Sequence, residues 1–152
     1  MSRVADRLAE LGLSLPDVVP PVASYVPANR TGNLVWTSGQ VPMVGGRLAG
    51  TGLVGADVTA EEAKDLARTC ALNCIAAASS IVDVDSIVRV VKVVGFVASA
   101  GGFYGQPGVV NGASELLQEV FGEAGRHARS AVGVAVLPLN APVEVEAVFE
   151  VS

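Results

Sequence analysis

Two stretches near the end of the chain alternate with period two. Ala131, Gly133 and Ala135 share one face of the first, and Val132, Val134 and Val136 the other. In the second, Val143, Val145, Ala147 and Phe149 lie opposite Glu144, Glu146, Val148 and Glu150. Such alternation predicts two strands, and the connection over 138–142, with two prolines and Asn140, predicts a hairpin. Pairing Leu137 with Val143 would then set Glu146 opposite Val134, about 16 Å along the strand from Arg129 and on the other face.

Elsewhere the period is helical. Thr59-Ala60-Glu61-Glu62 has the form of a capping box, with Ala63, Leu66, Ala67, Cys70, Cys74, Ala77 and Ile81 forming one apolar stripe behind it. A second helix is expected from about Asn111, with Ala113, Leu116, Leu117, Val120 and Phe121 inward and Gly122 and Gly125 ending it. A short amphipathic helix opens the chain on Val4, Leu8, Leu11 and Leu15. A proline-bearing connector follows it over 17–23. Residues 34–38 and the Val-rich stretch 87–98 read as strands, Gly45-Gly46 as a hairpin turn, and 103–110 as a loop. The order is β-β-α-β-α-β-β after the leading helix. It predicts an α+β class with a mixed sheet, in one domain spanning 1–152.

Composition changes this picture in one respect. Hydrophobic residues are 51% of the chain and charged residues 16%, with mean hydropathy +0.51. Charge this sparse hardly covers the surface of a lone domain, so burial of one face in an oligomer is expected. A membrane span is not, since no run of about 18 apolar residues occurs and Arg89 and Lys92 interrupt the richest stretch. Arg3, Asp6, Arg7 and Glu10 are foreign to a signal peptide. Net charge of −5 and a pI near 4.8 argue against a nucleic-acid surface.

Cys70 and Cys74 fall one helical turn apart and read as buried free thiols, which suits a reducing cytoplasm. A metal site would need two more ligands, and the lone His127 is distant in sequence, so no metal is expected. Residues 50–55 fit G-x-G-x-x-G. However, no apolar strand directly precedes them and the next helix begins several residues too late for a dinucleotide site. No cofactor is expected.

Few residues remain to carry chemistry. From position alone, Arg129 reads as one end of a surface salt bridge and Glu146 as a solvent-facing strand glutamate, with Glu144 and Glu150 also facing solvent. Tyr25 reads as a strand-edge aromatic, Ser38 as a turn residue and Asn111 as an N-cap. His127 has no partner motif and is given no role.

A resemblance changes these odds. Ala128-Arg129-Ser130, the small/Val strand, Leu137-Pro138 and Val143-Glu144-Val145-Glu146-Ala147 resemble the C-terminal signature of the RidA/YjgF family. These are the reactive intermediate deaminases, also known as the endoribonuclease L-PSP family. Thr37-Ser38-Gly39-Gln40-Val41-Pro42 resembles the family's T-S-G-Q-I/V-P block, and the likeness runs from about Tyr25 to Phe149. Short members begin near Tyr25, which makes 1–22 a helical extension and connector.

The resemblance implies a chorismate-mutase-like sheet and a homotrimer with sites between subunits. It assigns Arg129 to a substrate carboxylate, which suits its planar bidentate fork. It assigns Glu146 to positioning or activating water. It also places Tyr25, Ser38, Gly39 and Asn111 around the pocket, with Phe103 as an apolar wall. Many members carry Cys where this chain has Ala131, so only a backbone carbonyl is expected to act there. The region 101–126 is longer than in short members, which alters the pocket rim.

The implied reaction is hydrolysis of a 2-imino acid, or its enamine tautomer, to a 2-keto acid and ammonia. Two other readings stand beside it. One is a non-catalytic trimer that binds a keto acid or other small carboxylate, favoured by the absent Cys and the longer rim. The other is the ribonuclease of the older family name, disfavoured by the acidic pI and the single His.

Overall fold

The structure, a computed structural model, describes residues 3–152. Its main sheet has five strands: β1 (Ala28–Thr31), β2 (Leu34–Thr37), β5 (Ile87–Ala98), β6 (Ala128–Val134) and β7 (Val143–Val151). Their spatial order is β1-β2-β7-β5-β6. All neighbours are antiparallel except β5 and β6. A separate two-stranded ribbon, β3 (Met43–Val44) with β4 (Arg47–Leu48), turns at Gly45-Gly46 as expected. The class is α+β, with the expected strand and helix order in the main sheet.

Among the described residues three α-helices accompany the sheet: α1 (Val4–Glu10), α2 (Ala60–Ser79) and α3 (Gln106–Phe121). The capping box at α2 is present. The Thr59 hydroxyl accepts from the Glu62 N–H, and the Glu62 carboxylate accepts from the Thr59 N–H. α2 stops at Ser79, so Ile81 leaves the predicted stripe and is exposed. α3 begins five residues before the expected Asn111, which is therefore no N-cap. Most of the expected loop 103–110 is helix, from Gln106 onward, because Pro107 lies in the first turn, where a missing N–H costs nothing.

One face of the sheet is packed and the other is open. Val35, Val90, Val93, Val97, Val143, Val145, Ala147 and Phe149 are buried with α2 and α3 in one core. Gly112 lets the α3 backbone approach the Lys64 carbonyl of α2, where any β-carbon would collide. Cys70 and Cys74 are buried free thiols, and burial pushes Cys74 up to about 12. On the open face Trp36 and Val132 remain exposed, with Val94 and Phe96 partly so. Two register shifts in β5, near Val88 and Val91, stretch the spacing of buried residues to three at Ile87, Val90 and Val93 before alternation resumes.

The hairpin expectation at the C-terminus is wrong. β6 and β7 do not pair, because β5 lies between them. The α3 crossover makes β6 parallel to β5, and β7 takes β5's other edge. The connection crosses the end of β5, with Leu139 and Asn140 both at positive φ. There the Pro142 carbonyl accepts from Ala98 and the Asn140 carbonyl accepts from Gly52. The glycine-rich 50–55 stretch thus packs beside the end of β5, with Val54 buried.

The N-terminal helix docks on α3 and on the short turn before β5. Arg3 and the Ala5 N–H both bind Asp85, Arg7 donates to the Glu119 carbonyl, and Leu8 is buried. The Ala5 N–H, then the Arg3 guanidinium, hold the Asp85 carboxyl below its ordinary value. Among the described residues no helix is long and apolar enough to cross a membrane.

Candidate functional site

The expected site residues fall into two groups on opposite faces of the sheet. The first gathers at α3. Arg129 lies level with Val93 and shares its packed face. Its Nη1 donates to the Ser114 hydroxyl at 3.0 Å and its Nη2 to the Pro107 carbonyl at 3.0 Å. The fork is thus held by two fixed acceptors, and among the described residues its remaining N–H donors are uncommitted. Asn111 projects from the same helix face as Pro107 and Ser114, since residues three and four apart align. Ala131 lies level with Gly95 and packs on the core. Phe103 packs partly buried against Gly55 and Gly105, and its carbonyl accepts from the Gln106 amide at 2.8 Å.

The second group lies where β2 ends. Gln40 is buried and pairs by its backbone with Val145, at 2.8 and 3.0 Å. This lays Gly39 against β7 beside Glu144. The Ser38 hydroxyl donates to the Val26 carbonyl at 2.6 Å and its N–H to the Pro27 carbonyl at 2.8 Å, tying the connector to the strand. The Tyr25 hydroxyl accepts from the Val22 N–H at 3.3 Å. Tyr25, Gly39, Gln40, Leu139 and Glu144 line a cavity of about 80 Å³, walled otherwise mainly by apolar side chains.

Glu144 is the residue that sequence reasoning missed. It does not face open solvent as expected. It is partly buried, and no cation among the described residues pairs with it. Burial, and then repulsion from Glu146, raise its carboxyl above the ordinary value. The signal that could have found it was the pairing of the T-S-G-Q segment with β7. Glu146 lies two residues along on the same face, in a shallow depression with Trp36, Lys92, Val94 and Val148. Glu150 pairs loosely with Arg89 at 3.7 Å.

The register separates the groups. Glu146 lies level with Val94 and Ser130, so it is one residue along from Arg129, not five. Glu144 lies level with Phe96 and Val132. Its α-carbon is then roughly 14 Å from that of Arg129, with two strand spacings across and three residues along. Both glutamates use the open face and Arg129 the packed one. Their side chains diverge within a single chain. The face separation expected from the sequence holds, although the pairing that suggested it does not.

His127, given no role from sequence, belongs to the Arg129 group. Its Nε2 lies 2.9 Å from the Ser114 hydroxyl and its Nδ1 2.7 Å from the Gly125 carbonyl. Among the described residues, no group of three or more His, Cys, Asp or Glu is placed to hold a metal ion.

The family described as "YjgF/chorismate_mutase-like, putative endoribonuclease" matches residues 5–151. The chain is 45% identical to protein TCP17 of Trypanosoma cruzi, over 99% of this chain and 95% of that protein. Among solved structures it is similar to Atu1372 of Agrobacterium tumefaciens, described as of unknown function. That match has 48% identity and a TM-score of 0.90, covering 98% of this chain and 92% of that one. It is also similar to Escherichia coli TdcF, solved with bound serine, at 25% identity and a TM-score of 0.60, over 90% of this chain and 93% of that one.

Proposed function

This chain belongs to the YjgF/chorismate mutase-like family, and from that premise we propose that it hydrolyses a 2-imino acid, or the enamine tautomer, to a 2-keto acid and ammonia. The observation that carries the reading is Glu144, a partly buried carboxyl with a raised pKa. It lies against Gly39 and beside Tyr25 in a small cavity. A carboxyl poised in this way can take a proton from water and return it to a leaving amine. In this reading the water-orienting role expected of Glu146 passes to Glu144, and Glu146 helps keep its neighbour's pKa high.

The chemistry asks little of the protein. Water adds to the C=N carbon while Glu144 accepts its proton. The same proton then goes to nitrogen, giving a carbinolamine; its hydroxyl proton passes by way of Glu144 to the amine as the C–N bond breaks, and the keto acid and ammonia leave. Imines already hydrolyse in water, so orientation and one acid–base group suffice. Arg129 holds the substrate carboxylate through the N–H donors that Ser114 and Pro107 leave free. Asn111 lies on the helix face beside that fork, the Ala131 backbone follows two residues along β6, Phe103 is assigned the apolar wall, and Ser38 shapes the opposite wall by fixing the connector.

Because Arg129 and Glu144 diverge in one chain, the working site joins the Arg129 group of one subunit to the Glu144 group of another. The open sheet face, with Trp36 and Val132 exposed, is the surface that assembly would bury. A homotrimer is the assembly proposed. The serine bound to TdcF supports a small carboxylate as the ligand class.

Ammonia release from enzymatically generated 2-aminoacrylate tests this. Wild-type protein should accelerate it, and Glu144→Gln should not. Binding of a keto acid with no acceleration would replace the enzyme by a carboxylate-binding protein, the reading that Ala131 favours.

A further inference from the structure

The carboxylate fork proposed above ends in a hydrogen-bonded chain whose direction the structure determines. Nδ1 of His127 faces the Gly125 carbonyl at 2.7 Å, and a carbonyl only accepts. Nδ1 must therefore carry the proton whatever the charge of the ring. In the neutral ring Nε2 is then a bare acceptor, and the group facing it at 2.9 Å is the Ser114 hydroxyl. That hydroxyl donates to Nε2 and turns its lone pairs toward Arg129, whose Nη1 donates to it at 3.0 Å. The order is Arg129 to Ser114 to His127 to the Gly125 carbonyl.

We propose that Ser114 and His127 are positioning residues for Arg129, and that the fork keeps its orientation only while His127 is the neutral Nδ1–H tautomer. A protonated ring would make Nε2 a donor. Ser114 would then face donors from both sides, its own hydrogen would lose its acceptor, and a second positive charge would sit beside Arg129. The site favours the neutral ring. Burial lowers the His127 pKa, the Gly125 carbonyl opposes that shift, and the charge on Arg129 adds to it. The other charged groups nearby lie outside the chain. Glu115 pairs with the half-buried Lys64 and Glu123 with Arg126, both glutamates and Arg126 being exposed, and Lys92 of β5 lies level with Ala128 on the open face. Ser114 is 7% exposed, so water is a poor substitute for either partner.

The link to function rests on Arg129 as a carboxylate anchor, but the test separates the two. His127 is the sequence's one histidine, so its ring nitrogens give a single set of NMR signals in 15N-labelled protein. Wild type at neutral pH should show the Nδ1–H tautomer, and the Arg129 guanidinium signals should move with the His127 titration. In Ser114→Ala that co-titration should vanish, and pyruvate, used as the carboxylate probe in calorimetry, should bind about tenfold more weakly. Ser114→Thr, which restores the hydroxyl, should recover both.

An Nε2–H tautomer in wild type would overturn the proposal without any variant. So would Arg129 signals that ignore the His127 titration. Wild-type protein that fails to bind pyruvate would sink the carboxylate reading instead, leaving the tautomer and the co-titration to judge the positioning chain.

Discussion

The carboxyl group of Glu144 occupies the space that a side chain on Gly39 would fill. A β-carbon there would lie 2.8 Å from Cδ and 2.9 Å from Oε2 of Glu144. Gly39 does not have the positive φ at which side chains are strained, so the glycine serves the close approach and not the backbone. Gly39→Ala should displace the carboxylate and leave the fold intact. Imine hydrolysis should fall roughly ten- to a hundredfold, as a misplacement of about 1 Å does. The ammonia assay, paired with a thermal melt, checks both halves of this.

Glu144→Gln should cost activity and add stability. The folded state raises this carboxyl's pKa above its ordinary 4.5. Between the unfolded and folded pKa values the folded protein binds the extra proton. The stabilisation present in acid is therefore lost as pH rises through the folded pKa. At neutral pH the ionised group is a burden that glutamine removes. The variant should melt roughly 1–2 °C higher there, an effect limited by solvent screening. The difference should disappear near pH 4. A lower melting point at neutral pH would show that Glu144 has an ionic partner in the assembled protein.

Arg129→Lys keeps the charge and loses the fork. Lysine cannot address Ser114 and the Pro107 carbonyl while presenting a flat edge to a carboxylate. Most hydrolysis should be lost with near-normal folding, chiefly as a raised KM. Unchanged kinetics would remove Arg129 from the mechanism.

Mixed oligomers test the shared site. Arg129→Ala and Glu144→Gln chains, each inactive, should recover part of the wild-type rate once subunits exchange. Persistent inactivity after exchange, confirmed with a mass label, would mean that both residues serve one site from one chain.

The single histidine makes a separate forecast. Burial keeps the folded pKa of His127 below its ordinary 6.5. The unfolded chain therefore takes up a proton first as pH falls. Wild-type stability should be intact above about pH 6.5 and should decline below it, levelling off beneath the folded pKa. Urea melts from about pH 8 to 5 on wild type and His127→Asn measure this, and the variant should show the shallower decline.

Local order was legible because local rules produce it. The alternation in 143–149, the stripe of α2 as far as Ala77 and the Thr59 capping box depend on neighbours within a few positions, and each appears in the structure. The start of α3 was misjudged because Pro107 reads as a breaker until it is known to sit in a first turn. The T-S-G-Q and A-R-S segments marked both halves of the candidate site, and the family resemblance they carried holds.

Strand neighbours were not legible. Period-two alternation determines which face a residue uses, but it is silent on which strand lies beside it. A short proline-bearing connection between two strands fits a hairpin and also fits a crossing over β5. The choice was made by α3, which delivers β6 parallel to β5 and leaves β7 the other edge. That choice brings Glu144 to Gly39 and removes both from Arg129. It also joins Arg129 and His127, at the start of β6, to Ser114 on α3. The sequence determined the residue types and their faces. Only the tertiary structure decided which of them meet, because strand order is set by packing between segments distant in the chain.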